Sequence, residues 1–261
     1  MMRALSTAAT GMQAQEAKLD QIAHDMANMN TTAYKRGRTE FQDLMYQTIK
    51  DPGGAAGQNQ SPVGIQVGSG TRVAAQYSVH EQGPTKMTSG LLDMMINGEG
   101  FFSVQLPNGQ IGYTRDGSFK LDTTGKFITS GGYPLVPPIQ IPPGTASITI
   151  GNTGEVKILS AQNTESVVGQ IQIVNFLNPG AMKKIGENLS MPSTAAGPPT
   201  QGVPGEVGLG TILQGALEGS NVKPTESVMD MIVTQRTYES NAKVMTMGDQ
   251  MWSTTNNIGQ R

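Results

Sequence analysis

The 261 residues carry 18 basic and 20 acidic side chains, a net charge of −2, so no basic balance points to nucleic acid. The absence of Cys excludes disulfides, thiolate metal sites and Cys nucleophiles, and with only His24 and His80 a multi-His metal centre within one chain is excluded too. Charged residues make up 15% of the chain, against roughly 25% in an average soluble protein. Asn and Gln together number 35, and Gly and Pro together 48. With an apolar fraction of 36%, part of the stability is expected to come from neighbouring chains.

The chain starts Met1-Met2-Arg3-Ala4-Leu5-Ser6, too polar for a Sec signal, which on that ground alone predicts a cytoplasmic protein. No run approaches the roughly 18 apolar residues of a membrane span. Leu5, Ala8, Met12, Gln15, Leu19, Ile22, Met26 and Met29 step by three and four, a narrow heptad stripe that predicts an amphipathic helix. Asn28, Asn30, Thr31 and Thr32 supply the stop.

Residues 51–70 are rich in Gly. Val63, Ile65, Val67 and Val73 alternate there with small or polar residues, which fits either a flexible loop or a long hairpin that orders against neighbours. The middle reads as strands and turns. Phe101 to Leu106 and Ile111 to Arg115 flank the turn at Pro107-Asn108-Gly109, and Ser118 to Asp122 and Lys126 to Thr129 complete a four-strand meander. Ile148 to Ile150 and Val156 to Ile158 form a hairpin, and Val167 to Leu177 a last long strand. Seven of the 13 aromatics lie between residues 89 and 185, so the core is expected there. Residues 192–210, with four Pro and five Gly, read as loop.

A second heptad stripe closes the chain: Val228, Met231, Gln235, Tyr238, Ala242, Met245, Asp249 and Trp252. Pro224 suits the first helical position and Glu226 the first turn. Two readings fit these terminal helices. They pack on the middle domain as core helices, or they stack with the ends of other copies into a shared tube.

Catalytic patterns are absent. Gly98-Glu99-Gly100 and Gly68-Ser69-Gly70 do not extend into a phosphate loop, and Asp116 to Gly125 lacks the ligand spacing of a calcium loop. No cofactor is expected. His24 lies four residues after Asp20 on a helix, a surface pair, and His80 has no local partner. Lys35, Arg36 and Arg38 read as a solvated junction or as salt bridges to a neighbouring subunit. Among 20 acids, no pair is marked for glycoside cleavage.

The run Leu19-Asp20-Gln21-Ile22-Ala23-His24-Asp25-Met26-Ala27-Asn28-Met29-Asn30-Thr31-Thr32-Ala33-Tyr34-Lys35 resembles the N-terminal signature of bacterial flagellar rod and hook proteins. Leu217 to Val222, Met231 to Glu239 and Asn241-Ala242-Lys243 resemble the matching C-terminal end. Gly98 to Phe102 and Tyr113 to Phe119 are similar to the family's β domain. Phe41 to Gly53 and the Gly-rich stretch after it resemble the distal rod branch. His24-Asp25 stand where the family has Asn-Asn. Ala33 stands where Gly is common, which argues against a left-handed backbone there.

The resemblance implies an α+β protein. N- and C-terminal helices (residues 1–33 and 222–261) form a coiled-coil-like domain. A mainly antiparallel β domain spans 89–185, and a connecting region (34–88 and 186–221) carries a long extended hairpin at about 46–70. It implies a structural subunit of the flagellar distal rod and no enzyme, with a hook or proximal-rod relative, or a peptidoglycan-acting enzyme, as alternatives. The implied partners are other copies in a helical homopolymer, proximal rod proteins, the hook protein, the P- and L-ring proteins and the flagellar export apparatus. Export would need no cleaved signal, and neither nucleic acid nor membrane insertion is involved. The expected subunit-interface residues are Leu5, Met12, Leu19, Ile22, Met26, Met29, Val63, Ile65, Val67, Val228, Met231, Tyr238, Met245 and Trp252.

Overall fold

The computed structural model describes residues 2–50, 55–56, 59–60, 63–160 and 164–258. It is an α+β protein with two long helices and many antiparallel strands, divided into two compact units. One unit holds both terminal helices and residues 37–77. The other holds residues 28–36 and 78–222. No described helix is long and apolar enough to cross a membrane.

In the first unit, α1 (Met2–Ala27) packs along α2 (Pro224–Ile258) and against the strand Gly37–Asp43, which pairs with Thr71–Ser78. Two partners widen its contact face beyond the narrow stripe expected. Ala8, Ala14, Ile22 and Asp25 are all buried. Asp25 explains how the ribbon starts, because both its carboxylate oxygens accept the Gly37 N–H, at 3.1 and 3.2 Å, and Oδ1 also accepts from Gln21 at 2.7 Å. Farther along, the Thr71 N–H donates to the Thr10 hydroxyl at 3.4 Å. The strands Gln47–Lys50 and Ile65–Val67 pair antiparallel, with Gln47 opposite Val67 and Lys50 opposite Ile65. Much of the stretch between them lies outside the described residues.

In the second unit, seven of the described strands form one sheet. Its path runs Lys183–Gly186, Leu189–Met191, Ile111–Thr114, Phe101–Gln105, Ile173–Asn175 and Thr200–Gly202, and Leu135–Val136 also pairs with Phe101–Gln105. Strand alternation puts Phe102 and Val104 into a large core with Met94, Ile96, Phe127 and Ile173. Phe101 and Tyr113 enter a second cluster with Val174, Phe176 and Ala196. Both faces of the central strand are therefore buried.

Three expectations for this region need correction. The four-strand meander does not form, because Gly117 lies so close to the Met94 carbonyl that no Cβ would fit. There the chain leaves the sheet, and Lys120–Leu121 pairs with Phe127–Ile128 as a separate ribbon. The long strand from Val167 to Leu177 is split at Ile171, whose N–H donates to the Gly154 carbonyl at 2.8 Å. Glu165–Gln170 joins a three-stranded sheet with Thr145–Ile150 and Glu155–Ser160, while Ile173–Asn175 joins the large one. The loop expected at 192–210 contributes the strand Thr200–Gly202, paired with Ile173–Asn175.

Candidate assembly interface

A helix of 35 residues can satisfy its own backbone, but its side chains still need somewhere to go. On α2 the residues that lose most exposure form a row at heptad spacing: half-buried Ser227, buried Thr234, half-buried Asn241 and buried Gly248. Half-buried Met231 and Met245 lie between them. This row meets α1. A Cβ on Gly11 would stand 3.0 Å from the Asn241 amide nitrogen, and one on Gly248 would stand 2.8 Å from Leu5 Cδ2. The bare glycine of one helix thus receives the side chain of the other, at two places along the pair.

Five other apolar residues of α2 lie on its far side. At about 100° per residue, Met229, Ile232, Val233, Met247 and Met251 share an arc of about 100° roughly opposite the contact row. They are 68%, 45%, 58%, 58% and 54% exposed. A folded unit that hides Thr and Asn and shows Met and Val to solvent presents a surface awaiting cover.

The expected interface residues fall into several environments. Leu5, Met12, Leu19 and Met26 are half-buried on α1, and Ile22 is buried. Met29 lies beyond the end of α1, in the turn closed by the Thr31 N–H on the Asn28 carbonyl at 3.1 Å, so it takes no part in a helical stripe. On α2 the structure keeps Met231 and Met245 at the contact, and it turns Ser227, Thr234 and Gly248 inward rather than Val228, Gln235 and Asp249, each one residue later, while Asn241 and Ala242 are both half-buried. Val228, Tyr238 and Trp252 stay more than two-fifths exposed. Val63 and Ile65 are exposed and Val67 is half-buried.

Of the basic run after α1, Arg38 is exposed and Arg36 half-buried, but Lys35 is not part of a solvated junction. Lys35 is buried and donates to the Glu218 carboxylate at 2.5 Å and to the Glu81 carbonyl at 2.6 Å. Glu218 also accepts from Arg115 Nε at 2.9 Å and from the Gly83 N–H at 2.9 Å. Backbone bonds surround this ion group. The Ala33 N–H donates to the Glu218 carbonyl at 2.8 Å, the Arg36 N–H to Asn221 Oδ1 at 2.7 Å, and the Asn221 N–H to the Tyr34 carbonyl at 3.3 Å. The segment leaving α1 is thereby stitched to the segment approaching α2. Ala33 adopts φ 56°, the left-handed region, contrary to the expectation drawn from its identity.

Burial alone would raise the Glu218 carboxyl, but Arg115 and Lys35 outweigh burial and hold it below its ordinary range. A general acid needs the opposite shift, so this buried carboxylate is a structural ion-pair partner. Its partners lie 183 and 103 residues away in sequence, and no local spacing announces them.

Residues 95–158 match the family described as the flagellar hook protein FlgE/F/G D1 domain, and residues 213–258 match the flagellar basal body rod FlgEFG protein C-terminal family. Over 260 residues the chain is 42% identical to the flagellar basal-body rod protein FlgG of Caulobacter vibrioides, covering 98% of this chain and 99% of the relative. It is 44% identical to the protein of the same name from Borreliella burgdorferi over 262 residues, covering 99% of each. Against FlgF of Caulobacter vibrioides, identity is 35% and coverage falls to 87% of this chain and 86% of the relative. The chain belongs to the FlgG family of flagellar basal-body rod proteins. The matched spans contain Arg115, Glu218 and the exposed apolar side of α2.

Proposed function

We propose that the chain is a structural subunit of the flagellar distal rod, polymerising helically into a rigid hollow drive shaft that carries motor torque to the hook. The exposed apolar side of α2 carries this reading, because burial against other copies gives it the cover that its own unit does not. Residues 1–33 and 222–261 build the inner tube as a coiled-coil-like layer. Residues 89–185 face outward. Residues 34–88 and 186–221 connect the two, with a long hairpin at about 46–70 that locks adjacent subunits. The rod joins proximal rod proteins to the hook protein inside the P- and L-rings. Subunits reach it through the flagellar export apparatus without a cleaved signal.

The test is nucleated assembly of the purified chain, viewed by electron microscopy, with Met247→Glu and Val233→Glu as probes. Wild type is expected to give straight filaments. Each variant is expected to keep its monomer stability within about 0.5 kcal/mol, as surface substitutions do, and to lose assembly. Normal filaments from both variants would overturn the assignment of this surface.

A further inference from the structure

His80 sits against the ion group of Lys35, Arg115 and Glu218. Its ring meets Phe101 edge-on, with centroids 5.6 Å apart, and its Nδ1 is buried without a hydrogen-bond partner. The charges around it are uneven. Lys35, Arg115 and Lys184 all act on the imidazole as cations, against the single buried carboxylate of Glu218. The other nearby carboxylates are engaged elsewhere. Glu81 pairs with Arg36 at 3.8 Å, and Glu99 accepts from the Asn175 amide at 3.0 Å. Lys184 donates to the Lys35 carbonyl at 3.2 Å and lies over the Tyr34 ring.

A proton arriving on His80 therefore adds a further cation where cations already exceed anions, and it can create an N–H with no acceptor. Both effects oppose the closed arrangement. The bonds most exposed to that conflict are those between residues 33–36 and 218–222. The large apolar core contains no titratable group.

We propose that His80, Lys35, Arg115 and Glu218 form an acid-released latch: protonation of His80 frees the segments 33–36 and 218–222 from each other while the β core stays folded. The direction of the pH effect follows from linkage. Burial first, then Lys35, Arg115 and Lys184, push the imidazole from its ordinary 6.5 down to about 4. Between those values the open form takes up a proton that the closed form refuses, so closure weakens as pH falls from 6.5 and the loss is complete below 4. Glu218, held below its ordinary range, adds a loss of the same sign at lower pH.

Hydrogen exchange read by mass spectrometry on the full chain tests the latch, with rates corrected for intrinsic pH dependence. Peptides covering 31–37 and 216–223 are expected to lose protection by about 80-fold between pH 6.5 and 4 from His80 alone, the factor set by that shift with each form half-titrated at its own end of the range. The peptide covering 101–105 should hold its protection. In His80→Phe the loss between pH 6.5 and 5 should vanish. Acid loss in step across all three peptides, or an unchanged loss in His80→Phe, overturns the proposal. If His80→Phe fails to protect 101–105 even at pH 7, the imidazole titration followed by NMR in His24→Gln decides instead. A midpoint near 4 supports the latch, and one at 6.5 or above refutes it.

Discussion

The Glu218 carboxylate accepts from Lys35, Arg115 and the Gly83 N–H, and the residue is only 1% exposed. Replacing it by Gln keeps the shape but leaves Lys35 and Arg115 as buried cations without a counter-charge. Breaking a buried ion pair from one side costs about 3–5 kcal/mol, so Glu218→Gln should lower the urea midpoint of the β unit by a matching amount. The triple change Lys35→Met, Arg115→Met, Glu218→Leu removes the charges together and should restore most of that loss. Recovery in the triple variant would separate the cost of stranded charges from the worth of the pair. Ala33 supplies the opposite case. Its φ of 56° costs a residue with a Cβ about 1–2 kcal/mol, and Gly removes that strain while adding some chain entropy to the unfolded state. Ala33→Gly should therefore stabilise by about 0.5–1 kcal/mol, seen as a raised thermal midpoint.

At the scale of elements, the two terminal helices show what sequence periodicity can and cannot reveal. Heptad spacing located both helices, since Leu5, Met12, Met231 and Met245 recur with the right period. It misplaced the contact row of α2 by one residue because that row is Ser227, Thr234, Asn241 and Gly248. A search for apolar residues passes over small and polar ones that fit closely against a facing helix. The strand break at Ile171 was hidden for a related reason: a chain turning from one sheet into another keeps its in-and-out alternation through the corner. The Lys35 and Arg115 pairings with Glu218 left no local trace at all, because the fold alone brings those residues together. The glycine contacts give a direct test of the helix pair. Gly11→Leu and Gly248→Leu would force side chains into space held by Asn241 and Leu5, and overpacking costs about 1–3 kcal/mol. Helices that depend on tertiary packing lose structure when it weakens, so both variants should show reduced far-UV helical signal and an earlier first unfolding transition.

At the scale of the whole molecule, the first unit carries more uncovered apolar surface than its size explains. Beyond α2, the ribbon region exposes Met45, Tyr46, Ile49, Val63 and Ile65 around the short ladder of Gln47–Lys50 with Ile65–Val67. An isolated two-stranded ribbon is marginal in water, and apolar side chains on both its strands need cover that two strands do not provide. Other copies of the chain are the proposed cover, and the low charge suits that role, since neutral polar groups avoid like-charge repulsion where identical surfaces meet. The mechanical consequence follows from connectivity. If the helices alone join subunits, bending moves neighbouring subunits apart against a thin inner layer only. A ribbon that also bridges neighbours adds contacts away from that layer and resists bending. Deleting residues 46–70 should therefore leave a polymer that still assembles through its helices but bends. Curvature measured along filaments by electron microscopy should rise well above wild type. Filaments as straight as wild type after the deletion would show that stiffness resides elsewhere, and loss of assembly would show that the ribbon builds the polymer rather than merely stiffening it.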